Sequence, residues 1–165
     1  ALPALKQLSA NEYGRLETNV KAIVRAAAPI SLSVWALSYY LQHHMGEGLR
    51  YSGRSYRIEN LKPDIEYLLS VLAHSDSTSS EHAFSIGVSF LGVKLSLQSK
   101  SEISVARLER SLERLNRLKP LQKPKVLKAF VAVIGADRVM NPVEVELVRC
   151  FADAIDCPLP PLALD

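Results

Sequence analysis

Four consecutive residues, Asn141-Pro142-Val143-Glu144, constrain this chain more than any others, because they stand in the order that a helix start requires. Asn141 can accept from backbone N–H groups that a first helical turn leaves without partners, and Pro142 at the first helical position has no N–H to leave unused. Glu144, at the third, can reach back to the N–H of the cap. Val148, Phe151 and Ile155 then recur at helical spacing, and Pro158, Pro160 and Pro161 forbid continuation. Upstream, Leu127, Phe130, Val131 and Ile134 share one face of another helix, which ends near Gly135. This part of the chain reads as helix, short turn at Asp137, helix and Pro-rich tail.

The same punctuation recurs along the chain. Ser9 with Glu12 makes a capping box before a helix over Tyr13 to Ala27, with Val20, Ile23 and Val24 inward. Ser31 caps a helix bearing Trp35, Leu37, Tyr40 and Leu41. Residues 46–60 are loop-like, with room for a short extended piece. Ile65, Leu68, Leu69 and Leu72 mark a third helix, which ends before the polar run Ser75 to Ser80; Phe84, Val88 and Leu91 mark a fourth. Ser104 caps a fifth, with Leu108, Leu112 and Leu115 inward, and helices over Pro120 to Ala136 and Pro142 to Ile155 complete the set. Val, Ile and Thr do not alternate at period two for long. The expected fold class is therefore all-α, a multi-helix bundle forming one domain over 1–165 or two related helical-hairpin halves, 1–74 and 75–165.

An offset of 110 residues maps Val20, Ile23, Val24 and Ala26 onto Phe130, Val133, Ile134 and Ala136, Ser31 onto Asn141, and Leu37 onto Leu147. Ala27 and Val34 stand where Asp137 and Glu144 stand, so the acidic pair does not repeat. Duplication and chance agreement between two amphipathic hairpins carry equal weight.

At 165 residues and 48% hydrophobic, the chain can bury a proper core. A net charge of +3 is too mild to imply nucleic acid. The apolar run Ala129 to Ala136 falls far short of the roughly 20 residues of a membrane span, and Pro29 and several serines interrupt the uncharged stretch Ala26 to Leu41. No signal peptide opens the chain, and a start at Ala1 without Met suits a piece of a longer protein. Cys150 and Cys157 on one helix would have Cα atoms about 10 Å apart, too far for a disulfide, which favours a reducing compartment.

Catalytic patterns are missing: no GxSxG elbow, no phosphate-cradling loop, no CxxC, and no HExxH among His43, His44, His74 and His82. His74, Asp76, Glu81 and His82 are the best metal candidates, but a solvated helix connection explains them better. Asp137 and Glu144 admit a divalent-cation or partner site. The favoured reading is helix-end electrostatics worth roughly 0.3–1 kcal/mol each, since calcium wants about six oxygens or more. Trp35 and Cys157 read as core. From Lys100 to Lys128 nine basic residues face three glutamates, and Arg107, Arg110, Arg114 and Arg117 share one helix side. A solvated face is favoured over docking to anionic lipid, an acidic protein surface or nucleic acid; the loop bearing Arg50, Tyr51, Arg54, Tyr56 and Arg57 could extend such a surface.

A helix running into Ala136-Asp137, a turn, the Asn141-Pro142 cap with Glu144, and the ending Asp156-Cys157-Pro158-Leu159-Pro160-Pro161 together resemble the C-terminal region of HtpX-like zinc metallopeptidases. These are bacterial, membrane-anchored proteases related to the CAAX prenyl protease, and that region of theirs looks like the helical TerB (tellurite-resistance) domain. Ala1 to Ser9, Val34-Trp35-Ala36-Leu37, Ala83-Phe84 with Gly87, and Leu91-Gly92 fit the same pattern, whereas Arg138 stands where the family usually has Gly.

The resemblance implies a non-catalytic TerB-like domain on the cytoplasmic side of the bacterial inner membrane. Zinc, HExxH and membrane spans would lie N-terminal to Ala1, with no cofactor in this chain. The implied partners are the protein's own protease domain or a substrate protein, with an anionic membrane surface as a further contact and nucleic acid disfavoured. The alternative is a free-standing all-α module that binds anionic lipid or nucleic acid through its basic helix.

Overall fold

The computed structural model of the chain describes residues 55–75 and 79–159, together with twelve positions between 11 and 39. The chain divides into two compact units, Ala1–Arg50 and Tyr51–Asp165. In the first, the described residues are helical. Trp35 is buried there, with its ring centroid 5.2 Å from that of Tyr39, in keeping with its reading as core. Ser9, Ser31, Val20, Ile23, Val24, Ala26 and Leu37 lie outside the described residues, and with them the first copy of the suspected repeat.

The described residues of the second unit form five α-helices: α1 (Lys62–Ala73), α2 (Ser80–Ser89), α3 (Val105–Asn116), α4 (Lys123–Ile134) and α5 (Pro142–Ala154). Single 3-10 turns at Ile58–Asn60, Lys100–Glu102 and Pro120–Gln122 precede three of them. No strand occurs among the described residues, and the fold is all-α. The expected short extended piece before α1 is a single parallel bridge, in which Tyr56 N–H donates to the Arg117 carbonyl (2.8 Å) and Lys119 N–H to that of Tyr56 (2.9 Å).

α1 is the centre of this unit and packs against each of the other four helices. Its predicted stripe, Ile65, Leu68, Leu69 and Leu72, is wholly buried, but so are Tyr67, Ser70, Val71 and Ala73. A helix enclosed on nearly all sides belongs to the core. That position moves the division of the chain. A boundary between 74 and 75 would part α1 from the helices it packs with, whereas the observed boundary after Arg50 keeps them together.

α2 crosses α4 closely at Gly87, where a Cβ would collide with Val133 and meet the Ala129 carbonyl oxygen at 3.1 Å and Leu69 Cδ2 at 3.2 Å. Phe84 of α2 is buried as expected, while Val88 is only half-buried and Leu91 is buried in the turn beyond the helix. α3 places Leu108, Leu112 and Leu115 inward. α4 starts at Lys123 rather than Pro120, because Pro124 has no N–H to donate to residue 120 and its ring crowds that carbonyl. Phe130 of α4 and Phe151 of α5 meet edge to face with centroids 5.6 Å apart. No helix among the described residues is long and apolar enough to cross a membrane.

Candidate functional site

The turn between α4 and α5 holds the three acidic-turn candidates. Asn141 Oδ1 accepts from Glu144 N–H, and Glu144 Oε2 accepts from Asn141 N–H, each at 3.0 Å. This is the capping box expected from the sequence, and it holds the Glu144 carboxylate in a residue only 2% exposed. Asp137 is half-buried, and its Oδ1 accepts from Val139 N–H at 2.9 Å, closing a local turn. Between them Arg138 takes φ +67°, a left-handed conformation that costs a residue with a Cβ. Both carboxylates thus organise backbone.

The far end of α5 is closed as tightly. Asp156 adopts φ +49°, its N–H donates to the Asp153 carbonyl (3.0 Å), and Cys157 N–H donates to that of Ala152 (2.9 Å). These two bonds make a Schellman closure. Asn116 at the end of α3 adds to it: its Nδ2 donates to the Ala154 carbonyl (2.6 Å) and to Asp156 Oδ2 (3.0 Å). Cys157 and Cys150 are both buried, and burial pushes both thiols up, away from reactive thiolates.

Of the four arginines, Arg107, Arg110 and Arg114 lie on α3 and Arg117 at its C-cap, and three of them turn to neighbouring elements. The Arg107 guanidinium carbon lies 4.3 Å from the ring centroid of buried Tyr67, and that of Arg117 lies 5.0 Å from the Tyr56 centroid. Arg114 Nε stands 3.3 Å from Asp64 Oδ2. That oxygen is buried without a well-aligned hydrogen bond, so the contact is an ion pair only. Burial raises the Asp64 pKa above its ordinary 3.8, against the lowering pull of Arg114. Arg110 is exposed.

Among the metal candidates, Asp76 lies outside the described residues, as do His43 and His44, and Glu81 and His82 are exposed on α2. His74 has both ring nitrogens engaged, Nε2 at 2.8 Å from the Gln98 carbonyl oxygen and Nδ1 at 3.1 Å from Ser80 Oγ. Because a carbonyl only accepts, Nε2 carries the proton in that contact. No group of three His, Cys, Asp or Glu side chains is placed to hold a metal among the described residues.

His74 belongs to an arrangement that the sequence reading missed. Glu66 and Ser70 on α1 and His74 at its C-cap, each four residues apart, hold the extended segment after α2. Glu66 accepts from Ser96 N–H and from Gln98 Nε2, both at 2.9 Å, and Ser70 Oγ accepts from Gln98 N–H at 3.0 Å. Four helical residues advance about 6 Å and two extended residues about 6.6 Å, so the two periods keep step. The available signal was Val93-Lys94-Leu95-Ser96-Leu97-Gln98, which alternates at period two, opposite a polar stripe in an otherwise apolar helix. Ser104 was another partial miss: it stands at the cap of α3 without a side-chain cap bond. The Tyr67 hydroxyl serves there instead, accepting from Ser104 N–H (2.8 Å) and donating to its carbonyl (2.9 Å).

No family model, no curated protein and no solved structure matches this chain.

Proposed function

We propose that this chain is the non-catalytic C-terminal interaction domain of a membrane-anchored, zinc-dependent metalloendopeptidase. It works at the cytoplasmic side of the bacterial inner membrane, where it holds its own protease domain or a substrate protein. The observation that carries this reading is Arg138. The resemblance to HtpX-like, TerB-like regions puts Gly at that position, and Arg138 stands in the left-handed conformation that Gly favours. The residue that departs from the pattern thus keeps the backbone the pattern calls for. Zinc would be held by an HExxH helix elsewhere in the protein, and no step of the chemistry falls to the residues described above.

The lipid- or nucleic-acid-binding alternative draws less support, because Arg107, Arg114 and Arg117 already serve neighbouring elements. The gene upstream of Ala1 is the first test: HExxH with apolar spans is expected, and a start codon directly before Ala1 overturns the reading. In the full-length protein, deletion of 1–165 should leave zinc content unchanged and slow cleavage of a protein substrate. Undiminished cleavage would count against an interaction role.

A further inference from the structure

We propose that the outer edge of Lys94–Leu97 binds an extended, acidic peptide segment of another protein by adding it as a β-strand. In an extended chain the N–H and C=O of one residue point the same way, and those of its neighbours point oppositely. Ser96 N–H, Gln98 N–H and the Gln98 carbonyl all face α1, where Glu66, Ser70 and His74 meet them. Leu95 and Leu97, which alternate with them, therefore turn their N–H and C=O groups to the opposite edge. Those groups make no hydrogen bond among the described residues.

The edge is held in binding form before any partner arrives. Gly92 at φ +67° releases the chain from α2, and the ladder on α1 fixes the extended run, so little ordering cost remains. A row of backbone donors and acceptors at strand spacing is complementary to one kind of ligand, another extended backbone.

Charge selects among such backbones. Lys94 is exposed and is the sole charged residue between Leu91 and Ser99. An acidic side chain opposite it would be favoured by a few tenths of a kcal/mol or more. Pairing with a second copy would run antiparallel and bring only Lys94–Leu97 from each chain. That strip is far below the roughly 1,200 Å² of a stable dimer. The proposal stands independently of the protease reading.

The test uses the full chain, isotope-labelled, and an acetylated heptapeptide alternating Glu and Val. Saturating peptide should shift the Leu95 and Leu97 amide resonances and slow their hydrogen exchange about tenfold or more. Leu95→Pro, which removes an outward donor without touching the inward bonds of Ser96 and Gln98, should weaken binding about tenfold or more, and Leu95→Ala less than about threefold. The same peptide N-methylated at alternate residues, which needs no protein variant, should not bind. Unmoved Leu95 and Leu97 amides, or equal binding of the N-methylated peptide, would overturn the proposal. So would concentration-dependent dimerisation that Leu95→Pro abolishes, since a second copy would then own the edge.

Discussion

Asn141 and Glu144 exchange two hydrogen bonds at the start of α5, and removing the Asn141 side chain strands the N–H of a buried Glu144. Asn141→Ala should therefore cost about 0.5–2 kcal/mol in urea unfolding. If the acidic turn instead bound a cation, calcium would raise the Tm of wild type and leave Glu144→Gln unmoved. Arg138→Gly should stabilise by about 0.5–1 kcal/mol, since relief of the left-handed cost outweighs glycine's freedom in the unfolded chain, and a lowered Tm would show that the side chain matters there. Asp64 carries a pH prediction. Its raised pKa means that, between 3.8 and the folded value, the folded state holds a proton that the unfolded chain has released. Stability thus falls as pH rises through that window. Asp64→Asn should flatten that part of the profile. Arg114→Gln, which removes the stronger of the two positive charges acting on the carboxylate, should cost about 1–2 kcal/mol at pH 7 and less near pH 4. An equal cost at both pH values would assign the effect of Arg114 to its alkyl packing.

Between elements, a close approach lies at Gly87, where α2 meets Val133 and the Ala129 carbonyl of α4 and Leu69 of α1. Backbone cannot retreat as a flexible side chain can, so Gly87→Ala should cost about 1–3 kcal/mol and lower the chemical-denaturation midpoint. A change of less than about 0.5 kcal/mol would mean that α2 slides freely over α4. The helices themselves were legible element by element: leucines at three- and four-residue steps specify α3, and Asn141-Pro142 specifies the first residue of α5. Their partners were not. Arg107, Arg110, Arg114 and Arg117 recur at helical spacing, although α3 ends before Arg117, and that spacing says nothing of what stands opposite. Tyr67, Asp64 and Tyr56 reach three of them from elements 40 to 61 residues away in sequence.

At the scale of the molecule, residues 51–165 carry their own core around α1. A chain beginning at Tyr51 should keep its helical far-UV signal and unfold in one cooperative step. Loss of that transition would make its stability depend on the residues before it. The sequence by itself determined the all-α class, the placement of the five helices and the Asn141–Glu144 box, because propensity, caps and apolar periodicity act within a few residues. It did not determine that α1 is central. A helix with a legible apolar stripe can bury one face or nearly all of it, and only the helices packed around it settle which. The strap along Glu66, Ser70 and His74 has the same cause. Each half, a short alternating run and a polar stripe, is unremarkable alone, and hydrogen bonds spanning 24 to 32 residues join them only once α1 and α2 have packed. Local chemistry wrote the elements, and long-range contact decided which polar groups would meet.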